Sequence, residues 1–61
     1  MPLVHIDLVA GRSDEQLKAM MTDVTTALEK HIGVPRENVK VVVNEMQPDR
    51  FMDGGVLRSE K

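Results

Sequence analysis

The 61-residue chain has no cysteine, tryptophan or tyrosine, and only one phenylalanine, Phe51. Without cysteine there is no disulfide staple and no Cys/His spacing for a structural zinc site, two devices by which very small domains make up for a thin core. The apolar content is aliphatic instead, supplied by Val, Leu, Ile, Ala and five Met. A lone subunit therefore has little to bury, and oligomerisation is the remaining remedy. Positive charge is not in excess either. A net charge of −2 argues against a nucleic-acid or anionic-membrane partner, each of which requires a basic stripe. No apolar run is long enough for a signal-peptide core or a transmembrane helix, which points to a soluble, cytoplasmic chain with one domain over residues 1–61. Internal repeats, linkers and low-complexity segments are missing as well.

What is present reads as strand, helix, strand and tail. From Leu3 to Val9 the chain is rich in strand formers, with Val4, Ile6 and Leu8 on one face and Leu3, His5, Asp7 and Val9 on the other. Gly11 and Arg12 break this run. Ser13 then stands as an N-cap with Gln16 three positions later, the spacing of a capping box, and Asp14 and Glu15 put negative charge on the first helical turn. Leu17, Met20, Met21, Val24, Ala27, Leu28 and Ile32 form an apolar stripe at helical spacing, with Lys18, Thr22, Thr25, Thr26 and Glu29 opposite. Lys30 and His31 suit the negative end of the helix dipole, while Gly33 and Pro35 mark its stop.

A second strand follows a short polar turn, from Val39 to Met46. Val39, Val41 and Val43 share one face; Lys40, Val42, Asn44 and Met46 share the other. Both faces are apolar enough to be covered, as is usual for parallel strands, and a helix between two strands predicts a right-handed βαβ unit. A two-stranded sheet cannot cover both its faces within one chain, so packing between subunits is expected. The tail, "QPDRFMDGGVLRSEK", carries turn chemistry at Pro48-Asp49 and Asp53-Gly54-Gly55 and predicts a loop or short hairpin. The expected class is α/β: one βαβ unit with a short C-terminal hairpin or loop, assembling into a homo-oligomer.

Conventional catalytic groupings are scarce. There is no cysteine nucleophile, no glycine loop to cradle phosphate and no histidine pair at metal-ligand spacing. His5 reads as a structural or surface residue, His31 as a complement to the helix dipole, and Glu45, Asp49 and Asp53 as solvated acids. The methionines read as core filler. Met1-Pro2 is the exception. A small residue in second position favours removal of the initiator methionine, which leaves Pro2 with a free secondary amine at the head of a strand. An α-amino group titrates at roughly 7.7–8.0, and apolar surroundings or a nearby cation move it toward neutrality. An amine poised there is a general base. As an internal residue, Pro2 would merely begin a strand, where its missing N–H costs little.

Pro2, "GRSDEQ" over Gly11 to Gln16, the helix, "VKVVVNEM" and the loop "DRFMDGG" together resemble the 4-oxalocrotonate tautomerase family, the short-chain branch of the tautomerase superfamily. The resemblance covers nearly the whole chain. It implies a cofactor-independent and metal-independent isomerase that interconverts enol and keto forms of 2-oxo acids such as 2-hydroxymuconate, a chemistry of aromatic hydrocarbon catabolism. By the same resemblance Pro2 is the base and proton carrier, Arg12 anchors a substrate carboxylate through its planar fork, and Phe51 keeps the site dry. It further implies a hexamer, a trimer of dimers, with each site built from neighbouring subunits. One position departs from the pattern. Where well-studied members carry an arginine, "VRV", that polarises the substrate carbonyl, this chain has Lys40 in "VKV", which supplies charge without a bidentate fork. Arg36, in the preceding turn, is a second candidate cation. The alternatives within the same fold are a hydratase or dehalogenase, in which a protonated proline acts as acid, and a non-catalytic oligomeric module.

Overall fold

A computed structural model describes all 61 residues. Strand β1 (Leu3–Val9) leads into helix α1 (Asp14–Ile32), which returns the chain to strand β2 (Lys40–Met46); β3 (Met52–Asp53) and β4 (Val56–Leu57) form the tail hairpin. β1 and β2 are parallel and in register from Leu3↔Lys40 to Val9↔Met46, so the βαβ unit expected from the alternation is the fold. β3 and β4 pair antiparallel, Met52 with Leu57 and Asp53 with Val56.

The local signals act where the sequence puts them. The Ser13 hydroxyl accepts from the Gln16 N–H at 3.1 Å, and the Gln16 side-chain oxygen accepts from the Ser13 N–H at 3.0 Å, closing the capping box. At the other end Gly33 adopts φ 78°, a left-handed conformation open to glycine, and its N–H donates to the Glu29 carbonyl at 3.1 Å. Gly54 and Gly55, at φ 59° and 86°, supply the two positive dihedrals that a tight two-residue hairpin turn demands.

Two boundaries of the sequence reading shift. β2 begins at Lys40 rather than Val39, because the Val39 N–H closes a 3₁₀ turn over Arg36–Asn38 by donating to the Arg36 carbonyl at 3.1 Å. The helix stripe is also narrower than its periodicity implies. Ala27 is exposed and Ile32 is 60% exposed, while Thr25, assigned to the polar side, is half-buried with its hydroxyl donating to the Met21 carbonyl at 2.8 Å. Two strands spaced about 5 Å apart make a sheet narrower than a helix some 10 Å across, so part of the stripe finds nothing to cover it.

α1 lies over the sheet face that carries Val4, Ile6, Leu8, Val41 and Val43, all half-buried. Leu17, at 9% exposure, is the one buried residue. The opposite face is open. Leu3 and Val42 stand on it 64% and 45% exposed, and Met52 and Val56 are similarly bare on the hairpin. The radius of gyration, 14.6 Å, exceeds the roughly 10.5 Å of a compact monomer of this length. Accessible surface tells the same story: 4646 Å² for 6.8 kDa, against about 3950 Å² for a typical folded monomer. About 700 Å² per chain is surplus by this comparison, close to one partner's share of a standard protein interface, about 800 Å². No helix is long and apolar enough to cross a membrane.

Candidate functional site

Each of the four residues singled out by the sequence is held by a backbone contact at the end of an element. Pro2 is half-buried ahead of β1, and its carbonyl accepts from the Lys40 N–H at 3.0 Å, which ties the chain terminus to the head of β2. Met1 precedes it, 84% exposed. While Met1 is attached, the Pro2 nitrogen is an amide whose lone pair is delocalised, and it has no basicity to use.

Lys40 neighbours Pro2 along the backbone, yet strand alternation separates their side chains. Lys40 pairs with Leu3 and shares the open face with it and Val42, whereas Pro2 falls in phase with Val4, Ile6 and Leu8 on the helix side. The Lys40 ammonium folds back to donate to the Glu37 carbonyl at 3.1 Å. Arg12 lies exposed beyond the far end of β1, where its Nη1 donates to the Val9 carbonyl at 3.1 Å and its remaining donors have no partner within the chain. Phe51 also belongs to that far end in chain order, following β2 and the 3₁₀ turn Pro48–Arg50; it is half-buried, and its carbonyl accepts from the Arg58 N–H at 2.8 Å.

The spacing between these groups decides what one chain can do alone. At about 3.3 Å per residue, the seven-residue strand β1 holds Pro2 and Arg12 roughly 20 Å apart, well beyond the reach of one small substrate. No enclosed cavity exists in the single chain. The structure thus brings Pro2 next to the start of β2 through the backbone, but it does not gather Pro2, Arg12, Lys40 and Phe51 into one pocket.

Arg36, the other cation considered, is committed elsewhere. Its Nη1 donates to Glu29 Oε1 at 2.9 Å and to Thr26 Oγ1 at 3.2 Å, so the guanidinium fastens the 3₁₀ turn to α1. Sequence reasoning missed a polar cluster on the open face. His5 Nε2 stands 3.3 Å from Asp7 Oδ1, and Asn44 Nδ2 donates to the same oxygen at 3.3 Å. Asp7 and Asn44 are far apart in sequence, and only the parallel register sets them side by side. The available signal was the odd-numbered set His5 and Asp7, polar residues on the face expected to meet another subunit.

Comparison with known proteins assigns the family. Residues 2–61 match the model of the Tautomerase family, described as a tautomerase enzyme. A curated relative named "Probable tautomerase", from Lactiplantibacillus plantarum, is 54% identical over 61 residues, covering 100% of this chain and 95% of the relative. Among solved structures, TomN, a 4-oxalocrotonate tautomerase homologue of the tomaymycin biosynthetic pathway, superposes with a TM-score of 0.90 at 36% identity, covering 97% of this chain and 91% of that one. A heterohexamer 4-oxalocrotonate tautomerase from Chloroflexus aurantiacus superposes with a TM-score of 0.89 at 28% identity, covering 98% and 97%. A βαβ unit with a C-terminal hairpin, matched across its length in sequence and in structure, makes this chain an enzyme of the tautomerase family, on its 4-oxalocrotonate tautomerase branch.

Proposed function

We propose that this protein is a cofactor-independent tautomerase that ketonises enols of 2-oxo acids such as 2-hydroxymuconate, with Pro2 as the base once Met1 has been removed. The observation that carries this reading is the placement of Pro2: at the head of β1, half-buried, with its carbonyl locked to Lys40, in a chain whose family match starts at residue 2. With Met1 gone, that same placement fixes a secondary amine at the end of a rigid strand. Its nitrogen takes the enol proton, electrons move from the O–H bond through the conjugated system to make the ketone, and the ammonium returns a proton to carbon. No atom or electron is gained or lost.

Arg12, with donors to spare, suits a substrate carboxylate. Lys40 supplies positive charge for the carbonyl oxygen as it becomes anionic, and Phe51 walls the site. The separation along β1 requires that Pro2 and Arg12 of one site come from different copies. A homo-oligomer follows, and a hexamer built as a trimer of dimers accords with the hexameric relative.

Intact-mass measurement and a pH profile of 2-hydroxymuconate ketonisation test the base together. The mature chain should begin at Pro2, and activity should rise through an apparent pKa between about 6 and 8, the range of a perturbed terminal amine. A processed Pro2→Ala chain keeps a primary amine of different geometry, so its activity should drop sharply without vanishing. Full activity in protein that retains Met1 would remove Pro2 from the mechanism.

A further inference from the structure

The tail hairpin carries an arginine that the tautomerase reading does not use. β3 and β4 pair Met52 with Leu57 and Asp53 with Val56, so the next pair outward is Phe51 with Arg58. A backbone bond continues the ladder there, the Arg58 N–H donating to the Phe51 carbonyl at 2.8 Å. Residues directly opposite in an antiparallel pair send their side chains to the same face of the ribbon, with Cβ atoms about 4.5–5.5 Å apart. Arg58 therefore stands beside the one aromatic ring of the chain.

Its guanidinium is also the uncommitted one. Of the four arginines, Arg36 is held by Glu29 and Thr26, Arg50 by the carboxylate and carbonyl of Asp49, and Arg12 in part by the Val9 carbonyl, whereas the Arg58 side chain has no partner within the chain. The acids of the hairpin and last turn are occupied. Asp53 Oδ2 receives the Lys61 ammonium at 3.2 Å, and Glu60 Oε1 accepts from the Leu57 N–H at 3.2 Å. The exposed Arg58 head thus keeps its charge and its planar fork for a carboxylate from outside the chain.

Position in the fold gives that fork a use. The Ala10 N–H donates to the Met46 carbonyl at 2.7 Å, just past the last paired residues of β1 and β2. Arg12 follows two residues beyond Ala10 and Phe51 five residues beyond Met46, so both leave the sheet at its carboxyl edge. Parallel sheets of α/β folds commonly receive ligands at that edge. Lys40 heads β2 at the opposite edge, and its ammonium has no fork to offer.

We propose that Arg58 is a specificity-determining residue: with Arg12 it binds the carboxylate remote from the enol, and so selects enols of 2-oxo acids that carry a second carboxylate over those with only one. The inference rests on the proposed tautomerase site, in which Phe51 is the wall and Arg12 the anchor. An ionised carboxylate offers two oxygens with about four acceptor sites, enough for two guanidinium forks at once. Phe51 contributes as well. A ring beside the guanidinium excludes water from one side of the ion pair, which makes the pairing stronger than on an open surface.

Steady-state ketonisation by the processed protein tests this on two substrates, 2-hydroxymuconate with two carboxylates and phenylenolpyruvate with one. Arg58→Ala keeps the backbone N–H that holds Phe51. It should lower kcat/KM for 2-hydroxymuconate on the order of tenfold, chiefly through KM, and leave that for phenylenolpyruvate within about twofold of wild type. Arg58→Lys should recover part of the loss, since it restores charge without the fork. Arg50→Ala removes the same charge from the residue before Phe51 and should leave both substrates unmoved. Equal losses on the two substrates would reduce Arg58 to a support of the hairpin. An unchanged 2-hydroxymuconate value, or an Arg50→Ala as damaging as Arg58→Ala, would reduce it to surface charge. Each of these results overturns the inference and leaves the tautomerase reading intact, whereas a processed wild type that turns over neither substrate would end both.

Discussion

Mixing two impaired chains tests whether the active site crosses between subunits. One chain carries Arg12→Ala and keeps a free Pro2 amine. The other carries Pro2→Leu, whose bulky second residue keeps Met1 in place, and retains Arg12. Because β1 holds positions 2 and 12 roughly 20 Å apart, a working site must draw Pro2 from one chain and Arg12 from its neighbour. After equal amounts are unfolded together and refolded, half the chains offer a good Pro2 and half a good Arg12. About a quarter of sites then combine both, and about a quarter of wild-type kcat/KM, read at substrate well below the wild-type KM, should return from two preparations that each fall far short of it. The assay is ketonisation of 2-hydroxymuconate, with each variant refolded alone as the baseline. Activity equal to the mean of those baselines, in an assembly shown to contain both chains, would place Pro2 and Arg12 of one site on the same chain and refute the geometry.

The remaining predictions concern single positions. Arg12→Ala should raise KM more than it lowers kcat, since a remote carboxylate is held equally in ground and transition states, and steady-state kinetics separates the two. Lys40→Ala should depress kcat by tenfold or more through lost stabilisation of the forming oxyanion, and Lys40→Arg should retain turnover; unchanged turnover in both would make Lys40 a surface residue. Leu17→Ala should cost about 2–3 kcal/mol in denaturant unfolding, because it removes three carbons from the one buried side chain. Ile32→Ala, at a position 60% exposed in the chain, should cost less than about 0.5 kcal/mol.

Signals that act within a few residues were legible in the sequence. Ser13 with Gln16, Gly33, and the Gly54-Gly55 pair each dictate a local conformation through a hydrogen bond or a positive dihedral, and each appears in place. Strand alternation likewise sorted Val4, Ile6 and Leu8 from Leu3, His5 and Asp7. The exposure of Ala27 and Ile32 was not legible, because periodicity states which way a side chain points and not whether a two-stranded sheet extends beneath it. The hold of the Glu37 carbonyl on Lys40, the capture of Arg36 by Glu29 and Thr26, and the meeting of Asp7 with Asn44 were not legible either. Each depends on a turn geometry or a strand register that forms only once the chain has folded.

The thin core and the proposed division of the site between copies have one physical origin. A helix and two strands give a single chain one half-covered layer, with Leu17 as its only buried residue and the second sheet face, with Leu3 and Val42 on it, left in water. The same short topology stations Pro2 and Arg12 at opposite ends of a seven-residue strand, because the helix that follows β1 carries the chain back only to start β2 beside Pro2. Lengthening the chain would address the first deficit, and bending it the second. Association of identical copies would address both at once, by covering the open face and by letting the end of one β1 meet that of another. Stability and activity should therefore fall together on dilution. A variant that weakens association without touching a site residue, such as Val42→Lys, should lose ketonisation in proportion to the fraction dissociated, and full activity from dissociated chains would break that link.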